Sequence, residues 1–465
     1  MKKNHTLLAR VATFALAALV GVTASAGIDG GGRSRGVITA FGSIFVNDVE
    51  YFLDGAQIRV NGALTTEGSL RIGQVVTVDG FVNPDLVTGQ AATVDFDSDL
   101  RGRITALDKA ATTLRVLGQL VRVNGATSFD PSLQPANLGA LAVGQVVEVS
   151  GYRNSAGDVV ATRIDRTSSA SDRIIGTIGS LDAANRRFTI YGLTVDYSAA
   201  TQVEGPLAVG SQVEVEGART LTTTLLAAKV ENRATNLGGE VDDGASLEGY
   251  VTRALSSGRF AINGQAVIVT STTQYLKGTR ADLRLDQKVE AEGRLDATGA
   301  IVAETVKFKY DDQADVEALI TQVDTVKKTV TALGLTLKVP SDARLEDKSD
   351  ARLKRLRLAD LRVGDTIDVQ GDVLRDPRTV RVTRLERQNP DGRTRLHARV
   401  TDLGVDQFRL VGLPVFISPS TVIKEWTGKV ITRDTFRAVA ANRDVHVRGT
   451  FDGTWFNASE ITLEQ

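Results

Sequence analysis

The stretch VGQVVEVSG, residues 143–151, decides how the rest of the chain is read. Gly144 and Gly151 bracket an aliphatic run with one carboxylate, Glu148, at its centre. Taken alone it resembles a site, but five further copies follow the same pattern: GQVVTVDG ending at Gly80, GSQVEVEG at Gly217, DQKVEAEG at Gly293, GDTIDVQG at Gly371 and NRDVHVRG at Gly449. In every copy one set of alternate positions is apolar, as at Val76 and Val78, Val147 and Val149, or Val445 and Val447. The intervening set is polar, as at Thr77 and Asp79, Glu148 and Ser150, or His446 and Arg448. Alternation with period two is the mark of a β-strand with one buried and one wet face. The stretch is therefore read as a core strand, with Glu148 on the solvated side.

A second signature precedes each copy: GVITA at Gly36, GRITA at Gly102, GTIGS at Gly176, GYVTR at Gly249, ALITQ at Ala318 and ARVTD at Ala398, between 66 and 80 residues apart. Such spacing defines tandem units, read as 36–99, 100–169, 173–234, 246–309, 314–389 and 393–465. Each unit runs strand, strand, strand, connector, strand, strand, the connector being a short helix or turn. That order is the one of an oligonucleotide/oligosaccharide-binding (OB) type barrel. The expected fold is all-β, a tandem array of six small five- or six-stranded OB-like barrels.

The first 26 residues carry Lys2, Lys3 and Arg10, an apolar run from Val11, and Ala24-Ser25-Ala26, the layout of a secretory signal peptide. A Gly-rich linker is read over 27–35. The apolar run is too short to span a bilayer, so no membrane span is expected after signal removal, and the protein is expected in the periplasm or outside the cell. There is no cysteine, so no disulfide supports the fold. Removing the three leader bases from 55 basic residues leaves 52 against 56 acidic, a formal charge of −4, which disfavours nucleic acid as a partner.

The runs GVITAFGSIFVNDVEYF with IGQVVTVDG, and GRITALDKAATTLRVLGQLVRVNGATSFD with VGQVVEVSG and ATRID, resemble the tandem repeats of the exported bacterial family catalogued as domain of unknown function 5666. The resemblance is sharpest over the first two units. It implies a secreted or periplasmic multi-barrel protein and supplies no catalytic residues.

Candidate chemistry is sparse. Residues 32–36 satisfy G-x-S-x-G, but a nucleophile elbow needs a strand before it and a helix after it, and a linker and a strand are expected here. Asp95, Asp97 and Asp99 are spaced like the start of a calcium loop but lack its glycine and closing glutamate. Glu214/Glu216 and Glu290/Glu292 read as the wet side of their strands. Residues 351–362, ARLKRLRLADLR, read as a solvated basic connector helix. His397 and His446 take outward positions and show no third ligand, so neither metal nor cofactor is expected, and no nucleophile, base and orienting group assemble into an enzyme.

Aromatic residues gather in the first and last units, and barrels of this type hold sugars or bases on aromatic faces. The candidate ligand residues are Phe41, Phe45, Asn47, Tyr51, Trp426 and Trp455. The expected function is a non-enzymatic binding or scaffolding protein with an envelope or extracellular partner, a glycan or a protein. The alternative is an OB-like glycan- or nucleic-acid-binding protein using the terminal aromatics, and an envelope hydrolase is the least supported reading.

Overall fold

The computed structural model describes residues 30–134, 136–219, 224–233, 237–376, 378–441 and 443–464. The leader read at 1–26 lies outside them.

The second unit shows the plan. Its first strand, Leu100–Asp108, pairs antiparallel with Thr113–Val116, which pairs with Gln119–Arg122. A 3-10 turn at Leu138–Ala140 follows, then strands Val146–Arg153 and Val159–Arg166. The last strand runs parallel to the third and antiparallel to the fourth, and the fourth returns to the first, so the sheet closes into a five-stranded OB-like barrel. The other units repeat this order in tandem. The first unit adds a hairpin, Gln57–Val60 with Ala63–Thr65.

The alternation seen in the sequence sorts the faces correctly on the inner side. Val76, Val78, Val147, Val149, Val213, Val215, Val289, Ala291, Ile367, Val369, Val445 and Val447 are all in the core. The closing glycine of each signature sits at a β-bulge, as between Ser150 and Gly151. Its backbone is not left-handed there. It must be glycine because a Cβ on Gly151 would lie 2.3 Å from the Val160 carbonyl oxygen of the next strand, well inside contact distance. The opening glycine is the one that needs positive φ, with Gly144 at 95°.

Three expectations are corrected. Residues 30–35, read as part of the linker, belong to the strand Gly30–Val37, which pairs with Val75–Val82. Residues 351–362 do not form a helix. Leu356 and Leu361 are buried, only Leu358–Asp360 makes a 3-10 turn, and Arg352 takes φ 43°, which interrupts helical backbone. The third correction concerns the outer faces.

Those faces are not solvated throughout, because the barrels pair through their first strands. Units one and four join by a parallel seam of Gly30–Val37 with Gly244–Ser256. Units two and three join antiparallel through Leu100–Asp108 and Asp172–Asp182, and units five and six through Gln313–Leu319 and Arg395–Thr401. Each pair makes one twelve-stranded sheet. In the two antiparallel pairs the cores merge into a single apolar cluster, whereas units one and four keep separate cores. The polar positions of the signature strands fall on these seams: Glu290 is 0% exposed and Glu214 is 4%. Alternation identifies residues that leave a barrel's own core but not what covers them.

Candidate functional site

The sixth unit carries an open groove of roughly 610 Å³ lined by Val405, Asp406, Gln407, Phe416, Trp455 and Asn457. Its position follows from the barrel plan. Val405 and Asp406 lie in the loop after the first strand. Phe416 lies on the third strand, Leu413–Lys424, in register with Gln407 on one side and Asn457 on the other. Trp455 comes from the loop joining the last two strands. The first loop, the face of strands two and three, and the final loop together form the surface on which OB-type barrels hold oligosaccharides and oligonucleotides.

The groove is held in shape. The Phe416 and Trp455 rings meet edge to face, with centroids 6.3 Å apart and planes at 76°. Asp452 braces the loop by accepting hydrogen bonds from the backbone N–H of Thr454 at 2.9 Å and of Trp455 at 2.8 Å, and from Asn457 Nδ2 at 2.9 Å. Those bonds, that of Trp455 first, hold its carboxyl below the usual carboxylate range. Asp406 pairs with Arg433, the first residue of the single α-helix among the described residues, Arg433–Val439.

Of the six residues expected from sequence, the structure brings only Trp455 into this groove. Trp426 is 59% exposed in a turn beyond the end of the third strand. In the first unit Phe41 is exposed and Phe45 half-buried. Asn47 and Tyr51 are corrected, because the fold consumes both. Tyr51 faces inward opposite Ile44 and is buried in the core, which pushes its hydroxyl up to about 12. Asn47 is buried at the seam, where its Nδ2 donates to Ser246 Oγ at 2.7 Å and Ser34 Oγ at 3.1 Å.

Phe416 and Phe52 were missed as candidates, although strand alternation places both outward. In the register of the six barrels, Phe416 aligns with Phe52, Arg122, Asp196, Ile268 and Lys338. Only the two terminal units put an aromatic ring there. Phe52 and Phe81 flank Gln90 in one row of the first unit, and both are exposed.

The seams hold the titratable clusters. Lys309 Nζ lies 2.6 Å from Glu290 Oε2 and 3.3 Å from Asp48 Oδ2. Beside them burial, and then the charge of Glu290, push Glu292 up to about 9. Arg173, 1% exposed, reaches Asp97 at 2.8 Å, Glu214 at 2.9 Å and Glu216 at 3.4 Å. A second cavity, of about 610 Å³, opens where the first four units meet, lined by Arg35, Asp99, Tyr152 and Arg153 among others. The Arg153 guanidinium stacks 3.9 Å over the Tyr191 ring there.

Fold and groove together define a tandem OB-like barrel protein. The chain belongs to the family described as Domain of unknown function (DUF5666), which matches residues 101–165, 175–231, 248–307, 317–384 and 397–462. The matched stretches are the second to sixth units. Of the two units over which the resemblance reads sharpest, the second is matched and the first is not, and the first is the unit with the added hairpin. No curated protein matches the chain. A solved structure titled "drosophila Unr CSD456" is similar at 15% identity over 46% of this chain and 98% of that one, with a TM-score of 0.13. No helix among the described residues is long and apolar enough to cross a membrane.

Proposed function

We propose that this is an exported, non-enzymatic binding protein that holds a glycan chain in the aromatic groove of its sixth unit. The observation that carries this reading is the placement of Phe416 and Trp455 on the barrel face and final loop that OB-type barrels use for ligands. Sugar rings stack on such faces, and Gln407 and Asn457 flank the rings with amides suited to hydroxyl groups. A nucleic acid fits less well, because the Asp452 carboxylate stands in the final loop beside Trp455 and repels phosphates. Phe52 and Phe81 offer a second, smaller platform on the first unit. Three barrel pairs welded by their first strands would space the two platforms and give the protein a scaffolding character.

The test uses tryptophan fluorescence in a Trp426→Phe background, so that Trp455 alone reports. Titration with a panel of soluble cell-envelope oligosaccharides is expected to give saturable quenching with at least one of them, lost on Phe416→Ala. Flat titrations across the panel would overturn the glycan reading. A saturating response to single-stranded oligonucleotides instead would favour the nucleic-acid alternative. Export is tested separately by the amino-terminal mass of the protein from its native host, expected to begin at Gly27.

A further inference from the structure

The seam between the fifth and sixth units brings the two described histidines together in a way that spacing along the chain did not reveal. Asp315, His397, His446 and Thr462 occupy one register row across four adjacent strands. The two imidazoles stack, with ring centroids 4.2 Å apart and planes 16° from parallel. Glu464, just past the end of the last strand, Phe456–Leu463, turns its carboxylate onto both. His446 Nε2 lies 2.7 Å and His397 Nε2 3.3 Å from the same oxygen, Glu464 Oε1. All three ligand atoms fall within 4.8 Å of one another.

On its other side His397 Nδ1 faces Asp315 Oδ2 at 3.2 Å. A carboxylate there places a proton on Nδ1, which leaves the Nε2 lone pair aimed at Glu464. That nitrogen is buried and makes no hydrogen bond, so two electron-rich atoms face each other unless a proton or a metal ion stands between them. A carboxylate bound to the far nitrogen of a histidine is also the usual way a metal-ligating imidazole is oriented.

We propose that His397, His446 and Glu464 form a binding site for a divalent ion of the zinc class, with Asp315 orienting His397. Two imidazoles and a carboxylate suit zinc and its neighbours and do not suit calcium or magnesium, which take oxygen ligands. Ligands of a tetrahedral zinc stand about 3.4 Å apart, so the cluster needs only side-chain adjustment. Three protein ligands leave one position open, and the site lies at the seam, away from the groove. The expectation of no metal rested on the absence of a third ligand, and Glu464 supplies one from 18 residues beyond His446.

The test is calorimetric titration of zinc chloride alone into the metal-stripped chain, produced without a polyhistidine tag. The expected result is one zinc per chain, weakened at least tenfold by His446→Ala and by Glu464→Gln. Both side chains are half exposed, so these variants keep the fold, and circular dichroism checks that they do. Cobalt in place of zinc is expected to give the visible bands of a tetrahedral site, absent in both variants. No zinc uptake up to millimolar concentration, or uptake unchanged in both variants, overturns the proposal.

Discussion

The seam of units two and three and the seam of units five and six are laid in the same register, yet they solve the same electrostatic problem with different chemistry. In each, the first strands cross antiparallel, with Arg101 opposite Arg173 in one and Glu317 opposite Arg395 in the other. In the first seam the charge is carried by guanidinium groups sunk among carboxylates: Arg173 serves Asp97, Glu214 and Glu216, and Arg101 reaches Glu216 at 3.2 Å and Glu148 at 3.6 Å. In the second, imidazoles and carboxylates share the row, and Arg395 meets Glu317 at 3.1 Å while a third exposed. Barrel geometry dictates that something polar must line the seam; it does not dictate whether that lining can titrate. An arginine seam is permanently charged, while a histidine seam can exchange protons or accept a metal ion.

The largest expected effect separates the two seams by burial. Arg173→Ala takes from the buried Glu214 one of its two cations, leaving Arg233, and is expected to cost about 2–3 kcal/mol in chemical denaturation. Arg395→Ala removes a part-exposed pair and is expected to cost less than about 1 kcal/mol. Equal losses would show that the seams do not differ in the way described.

A smaller effect concerns Glu148. From sequence it is interchangeable, but in the structure it accepts a hydrogen bond from Asn61 Nδ2 of the first unit at 2.9 Å and faces Arg101. Glu148→Ala is therefore expected to cost about 1–2 kcal/mol, with most of that loss absent when Asn61 is already alanine. A change within about 0.3 kcal/mol of zero would return Glu148 to the solvated role.

The smallest effect is a slope with pH. Burial lowers the His397 value, but Asp315 and Glu464 outweigh it and leave it raised above 6.5. A group raised in the folded state contributes stability that is full below its unfolded value and lost as pH climbs through the folded one. In metal-free protein, thermal stability is expected to fall as pH rises from about 6 to about 8, and the fall to shrink in His397→Asn. An undiminished slope in the variant would assign it elsewhere.

What could be read from sequence divides along the same line. Inward residues such as Val147 and Val149 announce themselves, because every barrel must fill its own interior and the strand period exposes the pattern. The partners of outward residues do not. Glu290 and Glu214 have the spacing of a wet face and are buried because another barrel lies against them. Asn47 carries no local mark of its bond to Ser246, 199 residues away. The groove was half legible: the concentration of aromatics in the terminal units pointed to the right barrels and to Trp455, while Phe416 needed the register of three strands to stand out from core phenylalanines such as Phe408.

The parallel seam has a consequence for how the molecule is made. Its strand Gly30–Val37 comes first in the described chain, and its partner Gly244–Ser256 follows only after two complete barrels. During synthesis the first barrel therefore stands with a bare strand edge while some two hundred residues emerge. Such an edge invites the wrong partner, and contacts so distant in sequence form slowly. The glycines sharpen the constraint, since a Cβ on Gly32 would lie 2.3 Å from the Gly244 carbonyl oxygen. The first unit is thus a barrel in waiting, whose edge is covered only when the fourth unit returns to it.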